Sequence, residues 1–544
     1  MRSTRARAER RRLALAAAAC AAAGLSCGER LAPPLHRAAS TAGPVSGGTL
    51  HLASLADVRS LDPAGPIDGV ATEAIQLIFA GLVELDEENE VVPGLAESWS
   101  VGADGRSYRF VLRAGVRMHD GSLLTADDVV RSVERALDPM TPNPGAGYFA
   151  DLEGLAATAL DVVVFRIRAP DATFLPRLAM VTLRPTCKSA GHRYSSAWIP
   201  CGAGPFALEP GGWKRGVSLR LVKHAGYFRP GLPYLDAVEW SYNVPSLAQR
   251  FRFEDGDLDT VNAMTQADLT RFTSDPRWAP YGQPEHDDAI FGEAMNTRLP
   301  PFDDVEVRRA VAAAVDRDHY ARLQPGLLTP LTQALPPGVL GYDPAFAGQK
   351  YDLAAALEHM KKAGFAFDPG TGRGGWPEPV DYLVYDQGIV VYTAQLLQQD
   401  LAKIGIRLRI EQVSYSAYLG MHTDPKRPGM SFGSWGMDYA DPGSLLEPLF
   451  ASPPPGATEH NGGSFYANPR LDDVLARARA TADGERRAAL YREADAIVCD
   501  DAPWAFTFLR HFYDVSQPYV HGLSVRSLRG RDASRTWLDP GGAR

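Results

Sequence analysis

Stretches in which apolar and polar residues alternate are interleaved with stretches whose apolar residues recur every three or four positions. Strands and helices therefore take turns along the chain. Thr49-Leu50-His51-Leu52 alternates like a strand. So do Tyr108, Phe110 and Leu112, which follow the turn signal Asp104-Gly105. Thr125 to Leu137 has helical spacing, with Val129, Val130, Val133 and Leu137 on one stripe. Thr125 can cap that helix, and Asp128, three residues on, can reach back to the cap. Asp303 and Asp304 open a second helix, with Val307, Ala310, Val311 and Ala314 on one face. Asp352 to Ala363 is a third, stopped by Gly364. The clearest unit runs from Thr393 to Val413. Leu396, Leu397, Leu401 and Ile404 mark a helix, Gly405 ends it, and Ile406, Leu408 and Ile410 then alternate with Arg407, Arg409 and Glu411. Two late helices are expected over 471–481 and 484–498, with a loop over 456–463. The pattern predicts an α/β chain of several lobes.

Length and charge narrow the picture. A chain of 544 residues exceeds one ordinary core. Its net charge of −9 gives no attraction for nucleic acid. The N-terminus carries six arginines between Arg2 and Arg12, then an uncharged run from Leu13 to Leu25. That run is too short to span a bilayer and suits a secretory leader. Gly24-Leu25-Ser26-Cys27 resembles a bacterial lipoprotein box, in which Cys27 would be lipidated at the end of a 1–27 signal peptide. Gly24 stands where such boxes prefer Leu, so ordinary signal-peptidase cleavage stays open, and Cys20 is a second candidate. Residues 28–48 are polar and rich in Pro, Gly and Ser, and read as a flexible tether. An exported chain permits disulfides. Cys187 and Cys201 bracket a short loop and can pair, while Cys499 reads as a buried thiol.

Ordered landmarks then accumulate: Leu61-Asp62-Pro63, Phe79 to Val83, Pro93 to Trp99, Asp104 to Val116, His119-Asp120-Gly121, Leu124 to Val129, Gly202-Ala203-Gly204-Pro205-Phe206, Asn296-Thr297 through Asp316-Arg317, and Trp435 to Pro442. On these the chain resembles the family 5 solute-binding proteins of bacterial ABC importers, the dipeptide-, oligopeptide- and nickel-binding group. The similarity covers nearly all of residues 49–525. Most of these landmarks have structural explanations: Gly202 and Gly204, for example, are expected to permit turn conformations closed to other residues.

The resemblance implies a periplasmic-binding-protein-like fold, with two hinged α/β lobes around a cleft and an extra domain inserted in the first. Lobe I would comprise 49–80, 203–293 and 506–530, the extra domain 81–202, and lobe II 294–505. It implies a monomeric, exported binder without cofactor, which captures peptides and hands them to permease subunits of the inner membrane. In peptide-binding members an Asp of the pocket strand pairs with the peptide's α-ammonium, and here that position is Asp438. Trp435 would wall a ligand side chain, and Gly436 and Met437 lie beside the extended peptide. Ile67, Asp68, Gly69 and Val70 match a strand-like loop bordering the peptide, and Met295 and Asn296 sit near the hinge. The carboxylate-binding Arg of some relatives has no assigned counterpart.

Rival readings remain within the same residues. A nickel-chelate carrier would use a His, and His51, His119, His422 and His460 are the candidates, each read as a surface or turn residue. Neither a metal site nor His-Glu-x-x-His is found among the 12 histidines. A peptide-sensing receptor is a third reading. Gly429-Met430-Ser431-Phe432-Gly433 fits the Gly-x-Ser-x-Gly hydrolase pattern, but a turn signal precedes it and a strand follows, which is the wrong order for a nucleophile elbow. The chain is therefore read as a binder and not an enzyme.

Overall fold

The computed structural model describes residues 43–539, apart from 66–68, 192–197, 264, 427–428, 455–456, 458–459, 461, 527 and 529. The expected leader, Cys20, Cys27 and most of the tether lie outside the described residues. Among the described residues no helix is long and apolar enough to cross a membrane.

Three main sheets organise the chain. In the first, Thr49–Ala53 runs parallel to Ala237–Ser241, which continues antiparallel into Ser218–Lys223 and Phe206–Lys214. Its alternating Leu50 and Leu52 face a core shared with helix Gly69–Ile78. The second is an antiparallel sheet of Ala96–Val101, Ser107–Leu112, Val162–Ile167 and Leu152–Ala159. Tyr108, Phe110 and Leu112 are buried in it, and helix Ala126–Leu137 covers it with Val129 and Val133. Asp128 accepts from the Thr125 backbone N–H at 3.0 Å, as the capping pattern requires.

The third sheet has seven strands: Thr260–Asn262, Trp504–Ser516, Gly282–Met295, Met430–Gly436, Val380–Tyr385 and Leu408–Val413 in order, with Leu328–Pro330 added onto Trp504–Ser516. Both faces are covered. Phe291 and Met295 face one core, and Ile290 and Ala294 the other. The helix–glycine–strand unit expected around Gly405 is helix Gly388–Ala402 followed by Leu408–Val413. Gly405 takes a positive φ of 81°, and its Cα side lies against Gly375 and Phe367, so no side chain fits there.

Gly282–Met295 and Trp504–Ser516 are long, at 14 and 13 residues. They pair from Gly282 and Val515, beside the small Phe253–Phe272–Trp278 core, to Ala294 and Trp504, with a register shift between His286 and Ile290. The expected boundaries at 293/294 and 505/506 therefore fall inside these two strands, not in linkers.

Several landmarks acquire physical reasons. Asp62 is buried and forms an ion pair with Arg135, whose Nη1 donates at 3.0 Å, tying the first region to the helix of the second. Neither Gly202 nor Gly204 has the positive φ expected of it. A Cβ at Gly204 would meet the Leu77 carbonyl oxygen at 2.4 Å, and one at Gly202 the Phe79 ring at 2.4 Å. Close approach to helix Gly69–Ile78 and its end excludes side chains there, not backbone conformation. Cys187 and Cys201 are joined in a disulfide, and Cys499 is free and buried.

Candidate functional site

A cavity of about 1470 Å³ opens between helix Gly69–Ile78, the 81–202 segment and the third sheet. Its walls come from helix Gly69–Ile78, from Tyr148 and Arg184 of the 81–202 segment, and from the pocket strand Met430–Gly436 with the residues after it.

The pocket strand is built for main-chain recognition. On one side it pairs with Gly282–Met295 from Ala289↔Gly436 to Met295↔Met430. On the other it pairs with Val380–Tyr385 only at Met430 and Ser431. Phe432 accepts from the Tyr418 hydroxyl. Beyond it, Ser434, Trp435 and Gly436 reach the cavity on a strand whose second edge has no further ladder partner.

Asp438 lies just past the end of this strand, and its carboxylate is open to the cavity. It accepts a short hydrogen bond from the Tyr148 hydroxyl, and its backbone N–H donates to Ser444 Oγ at 2.6 Å. Asp438 is exposed at the cavity, and the protein packed around it partly desolvates the carboxylate and raises its pKa above the ordinary value; the Tyr148 hydrogen bond pulls the other way. No basic side chain pairs with Asp438 among the described residues. Two other cavity carboxylates differ: Glu84 holds Arg229 at 2.6 Å, and Glu447 holds Arg479. Asp438 is thus a cavity carboxylate with no paired protein cation among the described residues.

Tyr148 belongs to the short helical segment Pro144–Phe149 and sits edge-on to Tyr439, with ring centroids 5.5 Å apart. The Ala172 N–H also donates to the Arg479 carbonyl at 2.8 Å. The 81–202 segment therefore touches the 294–505 segment at the cavity wall. Nothing in the Pro/Gly-rich sequence around Tyr148 signals this contact across 290 positions.

The other expected residues divide. Trp435, Gly436 and Met437 line the cavity. Trp435 is half-buried, packs on the core beneath and donates from Nε1 to the Ser444 carbonyl at 2.9 Å, so it serves as core and wall together. Gly69 lines the cavity, but Gly69 and Val70 begin a helix and not a strand-like loop, and Val70 packs toward the first core. Ile67 and Asp68 lie outside the described residues. Met295 and Asn296 are 0% and 1% exposed. Met295 is core, and Asn296 Nδ2 donates to the Pro425 carbonyl at 3.1 Å; neither lines the cavity. Asp441 is structural: it accepts from the Gly443 N–H at 2.8 Å and the Tyr491 hydroxyl at 2.6 Å.

The histidines do not converge. His51 is a half-buried strand residue, and His119 packs edge-on to His224 over the Gly204 carbonyl. His422 and His460 line the cavity and both are buried, not on the surface; His460 does stand in a turn, its carbonyl accepting from the Gly463 N–H at 3.0 Å. Among the described residues the one group with closely placed ligand atoms is Asp120, Cys187 and Cys201, and its sulfurs are consumed by the disulfide. Ser431 lies inside the pocket strand, buried, with Oγ 2.8 Å from His422 Nδ1. The strand continues to Gly436, so the strand–turn–helix context of a nucleophile elbow is not present at Ser431.

The model of the bacterial extracellular solute-binding proteins, family 5 (middle), matches residues 90–456. The chain belongs to this family. Among relatives, the di/tripeptide-binding protein 2 of Pseudomonas aeruginosa is 28% identical over 486 residues, covering 82% of this chain and 87% of the relative. The glutathione-binding protein of Escherichia coli is 26% identical over 452 residues, covering 82% and 86%. The periplasmic binding protein DppA of Helicobacter pylori, solved with a bound peptide, superposes with a TM-score of 0.76 at 25% identity over 91% of this chain and 99% of its own. The oligopeptide-binding protein AppA of Bacillus subtilis shares the fold, with a TM-score of 0.75 at 21% identity and 92% and 100% coverage. As a family 5 member, this chain is an extracytoplasmic solute-binding protein.

Proposed function

We propose that this family 5 protein captures short peptides by their free α-amino end and delivers them to an ABC permease. The observation that carries this reading is Asp438: an anion within a large cleft, without a protein cation, beside a strand edge open for main-chain pairing. A ligand ammonium there gains a charge-assisted hydrogen bond in a site of low dielectric. The edge beyond Phe432 supplies donors and acceptors that any peptide backbone can meet, which suits cargo of varied sequence. The ligands for which the relatives are named, di/tripeptides and glutathione, each carry such an ammonium.

The expected lobes and the inserted 81–202 domain are part of this reading. A ligand touching walls from both sides binds the closed arrangement better and draws the lobes together. Lipidation at Cys27, with residues 28–48 as tether, would hold the binder at the membrane near its permease. Calorimetric titration of the protein with di-, tri- and tetra-alanine and their N-acetylated forms tests the proposal. Binding of the free-amine series, with marked loss on acetylation, is expected. Failure of every free-amine peptide to bind would overturn it.

A further inference from the structure

We propose that Asp120, Cys187 and Cys201 form a latent zinc site, which opens when the bridge between the two cysteines is reduced. None of the three lines the cavity, so the site is separate from peptide capture.

The ligand atoms are already gathered. A carboxylate oxygen of Asp120 and the sulfurs of Cys187 and Cys201 lie within 4.8 Å of one another. In a tetrahedral zinc centre, bonds of about 2.3 Å to sulfur and about 2.0–2.2 Å to oxygen set neighbouring ligand atoms roughly 3.5–3.8 Å apart. The carboxylate is close to that spacing from both sulfurs. Only the sulfurs have to separate, by rotation of their side chains once the bond between them is gone.

Contacts other than the bridge hold each ligand in place. The Cys187 N–H donates to the Cys201 carbonyl at 2.8 Å, so the two backbones stay paired without the sulfur bond. Cys187 is buried in a small core with Leu95, Val116 and Met118. Gly202, next to Cys201, is fixed from both sides: its N–H donates to His119 Nδ1 at 3.3 Å, and its carbonyl accepts from the His119 N–H at 2.8 Å. Asp120 Oδ1 accepts from the Ser122 N–H at 3.1 Å and from Ser122 Oγ at 2.6 Å, and Oδ2 accepts from Ser189 Oγ at 2.5 Å. A carboxylate has about four acceptor sites, so these bonds orient it and leave one for a metal.

The donor set selects the cation. Two thiolates favour zinc or cadmium over the hard cations calcium and magnesium. Two thiolates and a carboxylate in contact repel one another, and a dication offsets that repulsion. Asp120 is exposed, which gives the ion a way in and water a fourth position. The chemistry balances. A dithiol reductant passes two electrons and two protons to the bridge and itself becomes a disulfide, leaving Cys187 and Cys201 as thiols. Zinc then binds both sulfurs as thiolates and releases the two protons, with no change in its oxidation state. Zinc would tie the same two chain positions that the bridge ties, at sequence separation 14, and join Asp120 to them.

Titration with zinc against a chromogenic chelator tests the site. The full chain is compared in oxidised form and after reduction by a phosphine that is then removed without air. Reduction is expected to add one equivalent of tightly bound zinc, and cadmium in its place should give the ultraviolet charge-transfer band of thiolate ligation. A Cys187→Ser/Cys201→Ser variant keeps the other three cysteines and should show no gain on reduction. Asp120→Asn keeps the bridge and alters only an exposed residue, so it serves even if the double variant does not fold. After reduction it should bind zinc about 10-fold or more weakly than wild type. Reduction that adds no zinc, a gain that survives in the double variant, or wild-type affinity in the reduced Asp120→Asn protein would overturn the proposal.

Discussion

Replacing Asp438 with Asn isolates the charge that the proposed function depends on. The amide keeps the size of the carboxylate and an oxygen that can still accept from the Tyr148 hydroxyl, so the local packing of Tyr148 against Tyr439 is preserved. What is lost is the anion. A hydrogen bond to a charged partner contributes about 1.5–3 kcal/mol, so a free-amine peptide should bind roughly 10- to 150-fold more weakly to D438N. An N-acetylated peptide has no ammonium to lose and should change by no more than about 3-fold. The two ligands and two proteins form a thermodynamic cycle whose coupling term is the ammonium–carboxylate interaction. The sign of the pH dependence follows from the same group. Enclosure raises the Asp438 pKa, so its anion is lost at a higher pH than for an ordinary carboxylate. Wild-type affinity for free-amine peptides should fall as pH drops through that raised value, while D438N stays flat in the same window. Calorimetry across pH 4–8 reads both effects. Equal weakening of free and acetylated peptides, or a wild-type pH profile shared by D438N, would refute the reasoning.

Four further outcomes follow. Tyr148→Phe keeps the ring but removes the hydroxyl that now occupies Asp438, so free-amine peptides should bind up to about tenfold tighter and acetylated ones unchanged. Arg135→Ala strands the buried Asp62 carboxylate and should cost about 3–5 kcal/mol in urea unfolding, much of it recovered in an Asp62→Leu/Arg135→Met pair. Glu293 is fully buried in strand Gly282–Met295 with Tyr382 donating to it, and burial pushes its pKa up to about 8 from 4.5. A folded-state acid pKa above the unfolded one means that stability is full below about pH 4.5 and is lost as pH rises toward about 8. Glu293→Gln should remove that loss, gaining on the order of 3 kcal/mol over wild type at pH 7, and parallel melting curves across pH would exclude it. Reduction of the Cys187–Cys201 bridge, which closes a loop of sequence separation 14, should lower unfolding free energy by roughly 3 kcal/mol in differential scanning calorimetry with and without reductant.

Local signals in the sequence translated well into local structure. The Thr125–Asp128 cap, the alternation of Tyr108, Phe110 and Leu112, and the Gly405 stop each depend on residues within a few positions of one another, and each is present. Reasoning from a residue type alone fared less well where distant chain decides the environment. The glycines at 202 and 204 are required by the approach of Leu77 to Phe79, more than 120 positions earlier, so turn chemistry was the wrong cause. Met295 and Asn296 carry no local mark distinguishing a cavity wall from the sheet core in which they lie. Gly69-Val70 opens a helix because Ala71, Ala74, Ile75 and Ile78 continue on a buried helical face that reading the segment as a loop had overlooked. His422 reads in the sequence as a surface or turn residue, although its i−4 neighbour Tyr418 and the strand through Ser431 bury it between them.

The residues that identify the family and those that would choose its cargo are largely different sets. Asp62 answers Arg135, Gly202 and Gly204 admit a helix end, and the Asp104–Val116 hairpin builds a sheet core: these hold the scaffold and would serve any ligand. Asp438 is the exception, a landmark residue that faces the cavity, and it would read only a feature common to every peptide, the charged amino end. The strand edge beyond Phe432 is equally impartial, since it would meet main chain. Discrimination between peptides would then come from side chains of the cavity wall, among them Tyr415 and Leu419 of helix Tyr415–His422, which lies outside the landmarks. Relatives named for di/tripeptides and for glutathione can then share one ordered pattern with this chain. A swap of residues 415–422 between this protein and such a relative should move side-chain preference while leaving the dependence on a free amine untouched. If the preference stayed with the scaffold, selection would have to be sought in the opposite wall, around Arg184 and Arg229.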